Sequence, residues 1–259
     1  MEYFSRSDIT ANGKAARTQI DDITMYFQIH GEGEPILLLH GDTTYGEMVR
    51  NQILALAKHY QVIVPDLRAH GRTSDSDKPL SRSLMARDVV ELLDQLGLAK
   101  AHVVGWSGGG SVGLNLAVHH RRRVRRLVGI ACVFRPDGFT ETFAAYGSLT
   151  FDKVAPAQVE LYRSIAPDPD HLPVYLEKMK AMWFGPEGYP TRDELMGITV
   201  PTLLLIGDAD EYVRQEHFAE LHHLVPGSKL MVFPGEGHGV PETEPELVSA
   251  AILEFLGEA

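Results

Sequence analysis

The stretch that decides the fold is VVGWSGGG, residues 103–110. Its first half is apolar and β-branched, which predicts a buried strand, and its glycine-rich second half predicts a sharp turn into a helix. Glycines 105 and 109 flank Ser107 at the spacing that lets a strand and a helix pack closely, so that the serine hydroxyl projects above the edge of a sheet. A serine presented in this way is a candidate nucleophile.

Short apolar runs alternate with helical patterns on both sides of this stretch. The runs that predict strands lie at 19–20, 24–29, 36–39, 62–64, 101–105, 127–133, 202–206 and 229–233. The helical patterns lie at 48–58, 84–96, 109–118, 217–224 and 247–256. The first two runs predict an antiparallel hairpin. The alternation as a whole predicts an α/β protein with a mostly parallel eight-stranded sheet and helices on both faces.

One interval breaks the alternation. Residues 134–197 contain no predicted strand, only short helical stretches punctuated by proline and rich in aromatic side chains. So long a departure is usually functional, so we expect a short helical cap inserted in a core made of residues 1–133 and 198–259. The alternative is that these aromatics form the insert's own small core. The expected substrate-pocket residues are Trp106, Phe139, Phe143, Trp183 and Phe184.

A serine hydroxyl is a weak nucleophile at neutral pH unless a base lies beside it. His238 stands in the loop GEGHG, residues 235–239, after the last predicted strand, where neither a helix face nor an apolar core demands a histidine. A third residue should orient the imidazole. The loop after the strand at 202–206 offers two carboxylates for that role, Asp208 and Asp210.

Catalysis at a carbonyl also needs backbone N–H groups that hold an oxyanion. The N–H of Gly108 comes free at the start of the predicted helix. The N–H of Asp42 follows the strand at 36–39. The Asp42 carboxylate has the same charge sign as the oxyanion, which would raise the barrier. We therefore expect it either to turn away and cap the turn at 43–44 or the next helix, or to face the pocket and meet a cationic or hydroxylated substrate.

These pieces together resemble the α/β-hydrolase superfamily from about residue 19 to residue 256. The matching segments are LLLHG (37–41), DLRAHGRTS (66–74), GWSGGG (105–110), PTLLLIGDAD (201–210) and PGEGH (234–238). The resemblance implies the α/β-hydrolase fold, a triad of Ser107, Asp210 and His238, and no metal or organic cofactor. The Gly-Trp-Ser turn and the short cap resemble bacterial esterases and relatives of valacyclovirase and proline iminopeptidase. Gly108 stands where the aminopeptidase-like relatives often carry aspartate, which weakens any transfer of their specificity for amines.

The sequence therefore predicts a serine hydrolase that cleaves a small-molecule carboxylic ester through an acyl-enzyme on Ser107. A lactonase, an amidase or aminopeptidase, or a C–C bond hydrolase could use the same triad, and a non-catalytic ligand-binding protein could use the same fold. The string GGGSVG, residues 108–113, also matches the dinucleotide-binding pattern, with Asp137 downstream. That interpretation leaves the serine, aspartate and histidine unexplained.

Bulk properties narrow the partners and the compartment. The net charge of −11 argues against a nucleic-acid partner. No apolar run approaches the roughly 18 residues that a membrane helix needs, and the N-terminal segment lacks the apolar region of a secretory signal. Cys132 is the only cysteine, so no intrachain disulfide can form, and no histidine stands at a metal-ligand spacing. We expect a cytoplasmic protein that acts on a small ester-like molecule without a metal or cofactor.

Overall fold

The computed structural model describes residues 13–185 and 187–257. The strands are β1 (Lys14–Ile20), β2 (Ile23–His30), β3 (Pro35–Leu39), β4 (Gln61–Pro65), β5 (Ala101–Trp106), β6 (Val124–Ile130), β7 (Thr202–Gly207) and β8 (Lys229–Phe233). The α-helices are α1 (Arg50–Leu56), α2 (Arg82–Gln95), α3 (Gly108–His119), α4 (Glu141–Ala144), α5 (Pro156–Ile165), α6 (Leu172–Phe184), α7 (Arg192–Met196), α8 (Gln215–Leu224), α9 (Val240–Thr243) and α10 (Pro245–Gly257).

The eight strands form one sheet in the order β1-β2-β4-β3-β5-β6-β7-β8. The β1–β2 hairpin and the β2–β4 pair are antiparallel, and every pair from β4 to β8 is parallel. The hairpin turns at Asp21 and Asp22, as its sequence predicts. The predicted α/β-hydrolase fold, with a mostly parallel eight-stranded sheet, is confirmed.

Both faces of the sheet are covered, and β3 demonstrates how. Successive residues of a strand point to opposite faces. Leu37 and Leu39 belong to an apolar cluster with residues of α2, α3 and α8, whereas Ile36 and Leu38 belong to a second cluster with residues of α1 and α10. A strand buried on both faces must be apolar throughout, which is why its sequence is a continuous run rather than an alternation.

The strand order reverses direction at β3. From β3 the chain moves to β4 on one side and then returns to β5 on the other side. In open parallel sheets, ligands bind beyond the carboxyl ends of the strands at such a switch point. Two of the predicted site residues lie here, because Ser107 follows β5 and Asp42 lies in the loop after β3. The loops after β7 and β8 reach the same edge.

The structure corrects the bounds of two strands. The first predicted run, at 19–20, is the end of β1, which begins at Lys14. The sequence predicts a strand at 127–133, but β6 spans Val124–Ile130. Ala131 has a φ of 47°, a left-handed conformation that cannot continue a strand. Cys132, which continues the apolar run, packs its side chain against α3 at Gly110 instead.

Between residues 134 and 197 the described residues form the helices α4, α5, α6 and α7 and no strand, apart from one isolated bridge between Phe139 and Val213. Side chains of α3 hydrogen-bond to the backbone just before this segment and within its last third. The Ser111 hydroxyl donates to the carbonyl oxygen of Val133 at 2.7 Å, and the Asn115 amide donates to the carbonyl oxygen of Gly188 at 3.1 Å. Across the described residues, none of the helices is both long enough and apolar enough to span a bilayer.

Candidate active site

Ser107 occupies a strained turn between β5 and α3. Its φ of 52° and ψ of −118° are unfavourable for a residue with a side chain. The turn is held because the Ser107 N–H donates to the carbonyl oxygen of Ile130 at 2.7 Å. A Cβ on Gly105 would lie 2.3 Å from the carbonyl oxygen of Gly109, so the close approach of strand and helix requires glycine. The hydroxyl is thereby presented above the carboxyl end of β5.

His238 lies beside this hydroxyl, in the loop between β8 and α9. Its Nε2 is 2.9 Å from Ser107 Oγ, and its Nδ1 is 3.0 Å from Asp210 Oδ2. A carboxylate only accepts hydrogen bonds, so Nδ1 carries the ring proton of the neutral imidazole and Nε2 accepts from the serine hydroxyl. The structure brings the three predicted residues into one hydrogen-bonded chain.

The two carboxylates offered by the sequence have different partners. Asp210 Oδ1 also accepts the backbone N–H groups of Tyr212 at 2.8 Å and Val213 at 2.9 Å, which fix the carboxylate while it faces His238. Asp208 instead accepts the N–H of Gly235 at 2.7 Å and ties the loop after β7 to the loop after β8. The structure therefore places Asp210 at the imidazole.

Two further side chains hold the backbone of His238. Glu211 Oε2 accepts its N–H at 2.9 Å, and the Trp106 indole donates to its carbonyl oxygen at 3.0 Å. Trp106 is expected to line the pocket, but the structure packs it in the apolar cluster with α1 and α10, where it is 8% exposed. A tryptophan on a buried strand can satisfy its N–H only at a nearby acceptor, and the histidine loop supplies one.

The two expected oxyanion donors are neighbours. A Cβ on Gly108 would lie 2.2 Å from Asp42 Oδ1, and a Cβ on Gly41 would lie 3.4 Å from the Cβ of Ser107. The loop after β3 is therefore packed directly against the start of α3. In the part of the chain that the structure describes, neither the Asp42 N–H nor the Gly108 N–H donates to a protein acceptor.

The Asp42 carboxylate makes no capping hydrogen bond to the turn at 43–44 or to the next helix among the described residues; it pairs with Arg82 instead. A contact between this carboxylate and a cationic or hydroxylated substrate stays a prediction. Arg82 Nη1 donates to Oδ1 at 2.6 Å, Nη2 donates to Oδ2, and the Trp183 indole donates to Oδ2 at 2.8 Å. Burial would raise the pKa of Asp42, but the Arg82 cation and these hydrogen bonds hold that pKa below its ordinary value.

Sequence reasoning missed Arg82, Glu211 and Tyr212. Arg82 lies in the first turn of α2, after the N-cap Ser81. A cation in the first turn opposes the helix dipole, so its presence there is a signal that it has a partner elsewhere. Glu211 and Tyr212 follow Asp210 directly, and no spacing rule marks them.

Aromatic rings connect the two sides of the site. Tyr212 contacts the His238 ring edge-on, with centroids 5.0 Å apart, and Phe143 lies between Tyr212 at 5.6 Å and Trp183 at 5.1 Å. Trp183 in turn donates to Asp42 in the loop after β3. The contacts therefore form an arc from the histidine to the loop after β3; Phe143 and Trp183 come from the segment 134–197, and Tyr212 comes from the loop after β7.

The remaining predicted pocket residues lie behind this arc. Phe139 stacks on Phe143 with centroids 4.1 Å apart and is 8% exposed, so it belongs mainly to the apolar core. Phe184 is half-buried and packs edge-on against Phe139 at 6.3 Å. Phe143 is thus the ring of this stack that is less buried and nearer to both sides of the site.

The competing glycine pattern has a packing explanation. Gly110 lies against the Cβ of Cys132, and Gly113 lies against Leu127, so that a Cβ at either position would come within 2.7 Å or 2.8 Å of those side chains. In residues 13–185 and 187–257, no group of three His, Cys, Asp or Glu side chains is placed to hold a metal ion.

A serine on a strained strand-turn-helix, a histidine after the last strand and an aspartate after β7, on a sheet of this order, define the α/β-hydrolase class. The chain belongs to the alpha/beta hydrolase family, whose model matches residues 36–251. The RutD protein of Azorhizobium caulinodans, named as a carbamate hydrolase, is 30% identical over 92% of this chain and 96% of its own. The pimeloyl-acyl-carrier-protein methyl ester esterase of Vibrio cholerae is 26% identical over 90% of this chain and 98% of its own.

Solved structures give the same class. A thermophilic esterase from Thermogutta terrifontis superposes with a TM-score of 0.73 and 26% identity, over 94% of this chain and 98% of that one. The meta-cleavage product hydrolase CumD of Pseudomonas fluorescens has a TM-score of 0.78 at 23% identity, over 93% and 97% of the two chains. The first likeness is to an esterase, and the second shows the fold.

Proposed function

We propose that this protein is a serine esterase that hydrolyses a small carboxylic ester through an acyl-enzyme on Ser107. The observation that carries the proposal is the hydrogen-bonded chain from Ser107 through His238 to Asp210, with the loop of Asp42 packed against the start of α3 at Gly108. Each part alone is common, but a nucleophile joined to an oriented base supports acyl transfer, for which the N–H groups of Asp42 and Gly108 are the proposed oxyanion donors.

In the first half-reaction, Ser107 Oγ attacks the carbonyl carbon of the ester while its proton passes to His238 Nε2. The imidazolium that forms is stabilised by Asp210, which remains ionised. The tetrahedral intermediate places its negative oxygen at the N–H groups of Asp42 and Gly108. When the intermediate collapses, the C–O bond to the alcohol breaks, and the leaving alkoxide takes the proton back from His238.

In the second half-reaction, water replaces the alcohol. His238 removes a proton from the water as its oxygen attacks the acyl carbon, and the same N–H groups hold the second oxyanion. Collapse of this intermediate breaks the bond to Ser107 Oγ, which recovers its proton from His238, and the carboxylic acid leaves. Protein groups supply every proton transfer in this scheme.

An ester is the favoured substrate for a chemical reason. An alkoxide is a better leaving group than an amide nitrogen or a carbanion, and so it demands least of the general acid. The methyl ester esterase relative and the esterase structure support this assignment. The RutD relative favours a carbamate as the second candidate, because a carbamate presents the same carbonyl to the same nucleophile.

We further propose that residues 134–197 act as a cap over the site, on a core formed by residues 1–133 and 198–259. The arc through Phe143 and Trp183 supports this role, since it places apolar rings of that segment beside the histidine and the loop after β3. An apolar cover excludes water and strengthens the hydrogen bonds beneath it.

The decisive experiment combines covalent labelling with one substitution. A fluorophosphonate should label the wild-type protein once, at Ser107, and Ser107→Ala should abolish both labelling and turnover. The expected loss is on the order of 1,000-fold or more in kcat, with an unchanged thermal midpoint. Near-native turnover by Ser107→Ala on the best ester found would exclude the proposal.

A substrate panel then separates the two candidates. Chromogenic esters of increasing acyl length should be compared with carbamates, lactones and aminoacyl amides that share the same leaving group where chemistry permits. A kcat/KM at least tenfold higher for the best ester than for the matched carbamate would support an esterase, and the reverse ranking would favour the carbamate.

A further inference from the structure

Asp42 presents an electrostatic difficulty for the proposed mechanism. Its backbone N–H is a proposed oxyanion donor, yet its own carboxylate lies against the backbone of Gly108, the second proposed donor, with Oδ1 2.2 Å from the position of a Cβ there. An uncompensated negative charge at this place would oppose the oxyanion strongly, because the surroundings are buried and their dielectric constant is low. The carboxylate must therefore be neutralised if the loop is to serve catalysis.

Arg82 supplies that neutralisation in a fixed geometry. Its guanidinium meets both carboxylate oxygens, and the two side chains are 1% and 9% exposed. Burial opposes the charge on Arg82, but the attraction of Asp42 raises the pKa of the guanidinium above its ordinary value. A bidentate pair fixes orientation as well as charge, because a planar guanidinium and a planar carboxylate join in only one plane.

The loop that this pair holds is under backbone strain. Thr43, directly after Asp42, has a φ of 58°, which a β-branched residue rarely adopts. The Thr44 hydroxyl closes the turn by donating to the carbonyl oxygen of Gly41 at 2.7 Å. A conformation of this kind persists only when surrounding contacts impose it, so the loop depends on the contacts that hold Asp42.

Helix α6 supplies the other contacts. Trp183, near its end, donates to Asp42 Oδ2, and the Tyr175 hydroxyl near its start lies beside the backbone of Thr43. Tyr189, just beyond the helix, contacts Arg82 and donates to the carbonyl oxygen of Trp183 at 3.3 Å. The loop after β3 that contains Asp42 and Thr43, which we call the oxyanion loop, is thus held between α2 and the segment proposed as the cap.

We propose that Arg82 is a positioning residue that acts through Asp42: it holds the Asp42 N–H toward the oxyanion and cancels the Asp42 charge there, and Trp183 completes the clamp from α6. This inference rests on the proposed serine esterase function. It assigns to the cap segment a part in the chemical step, beyond enclosing the substrate.

The test compares Arg82→Lys with Arg68→Lys. Arg68, in the loop that begins at Asp66, is an equally buried arginine that forms a bidentate pair with Asp88, through Nε at 2.8 Å and Nη2 at 2.7 Å, and also pairs with Asp22 rather than with Asp42. Lysine keeps the charge in both variants but loses the planar fork. Both should lose thermal stability, so any difference in turnover isolates the effect at the oxyanion loop.

For Arg82→Lys we expect kcat to fall by roughly 10- to 100-fold, since a misplacement of about 1 Å in a catalytic group has effects of that size. KM should stay within about threefold, because the lost interaction acts in the transition state. The inhibition constant of a boronic acid, which mimics the tetrahedral intermediate, should rise by the same factor as kcat falls. Arg68→Lys should keep kcat and boronate affinity within about twofold.

Three results would overturn the inference: unchanged kcat in folded Arg82→Lys, an equal fall in kcat in Arg68→Lys, or a higher KM with unchanged kcat, which would make Arg82 a ligand-binding group. If Arg82→Lys does not fold, Trp183→Phe removes one hydrogen bond to Asp42 and keeps an aromatic ring, and its boronate affinity should fall about threefold or more. Wild-type labelling at Ser107 is measured first. A protein that is not labelled and has no turnover contradicts the proposed function, whereas an active protein with insensitive variants contradicts only the role of Arg82.

Discussion

Two loops at the same edge of the sheet each bring an aspartate to the site, and they use it differently. After β7, Asp210 faces an imidazole, with Oδ2 3.0 Å from His238 Nδ1. After β3, Asp42 faces a guanidinium, and the nearest imidazole, that of His70, is 3.9 Å away. One carboxylate therefore has a partner that gains and loses a proton during the proposed reaction, and the other has a partner whose charge is permanent.

The difference separates two uses of a buried charge. A carboxylate beside a histidine is worth most when the histidine becomes charged, which happens only during turnover. A carboxylate beside an arginine is neutralised at all times, so its value lies in the geometry that the pair imposes. The loop after β7, which we call the acid loop, should therefore lose activity when the charge of Asp210 is removed. The oxyanion loop should lose activity when the geometry of the Asp42–Arg82 pair changes.

The largest effect is expected at the acid loop. Asp210→Asn should lower kcat by about 10,000-fold, because the amide favours the wrong imidazole tautomer and cannot stabilise the imidazolium. Asp208→Asn is the matched control, since it alters a carboxylate two residues away that accepts the N–H of Gly235 and does not hydrogen-bond to His238 in the described structure. It should keep kcat within about tenfold while lowering the thermal midpoint. A larger loss of kcat at Asp208 than at Asp210 would reverse the assignment.

The same comparison shows what the sequence could and could not predict. Local patterns predict the strands, the sharp turn at Ser107 and the position of His238, because apolar runs and glycine spacing reflect contacts within a few residues. The partner of Asp42 lies 40 residues away, and only packing in three dimensions brings Arg82 to it. For the same reason Trp106 could not be placed: its pattern fits a pocket wall and a core position equally well.

The second largest effect concerns the buried imidazole of His70, which lies near Asp42. His70 is 1% exposed, its Nδ1–H donates to the carbonyl oxygen of Arg68 at 2.8 Å, and its Nε2, 3.9 Å from Asp42 Oδ1, has no hydrogen-bond partner among the described residues. Burial, with a smaller contribution from the neighbouring His40, lowers the pKa of His70 to about 4. Asp42 does not reverse this shift, because Arg82 already neutralises it.

The unfolded chain binds a proton at His70 near pH 6.5, and the folded chain binds it only near pH 4. Stability should therefore be unaffected by His70 above pH 6.5 and should fall as the pH falls from 6.5 toward 4, by up to about 3 kcal/mol. Thermal midpoints of wild type and His70→Asn between pH 8 and pH 4 measure this contribution. The variant should be less stable at pH 8 yet have a shallower slope below pH 6.5, and parallel slopes would show that His70 titrates normally.

A smaller effect should appear where the two loops meet, at the aromatic arc. Phe143 contacts both Tyr212 on the acid side and Trp183 on the oxyanion side, whereas its stacking partner Phe139 is buried in the core. Phe143→Leu should change the ratio of kcat/KM values for short and long acyl esters by roughly tenfold, a size typical of pocket changes. Phe139→Leu should mainly lower the thermal midpoint. If Phe143→Leu shifts stability alone, its ring belongs to the core and not to the pocket.

The smallest effect is expected from charge on the substrate. An unpaired Asp42 carboxylate facing the pocket would attract an amino-bearing ester, but the pair with Arg82 leaves no net charge to attract it. The kcat/KM for an amino-bearing ester and for its neutral isostere, each divided by the rate of uncatalysed hydrolysis, should therefore agree within about threefold, the range of weak, screened interactions. Asp42→Asn leaves Arg82 unpaired, so it should turn this ratio against the amino ester while it lowers kcat for both. A wild-type preference of tenfold or more for the amino ester, erased by Asp42→Asn, would contradict this expectation. It would show that the carboxylate attracts the substrate and that Arg82 does not neutralise its charge.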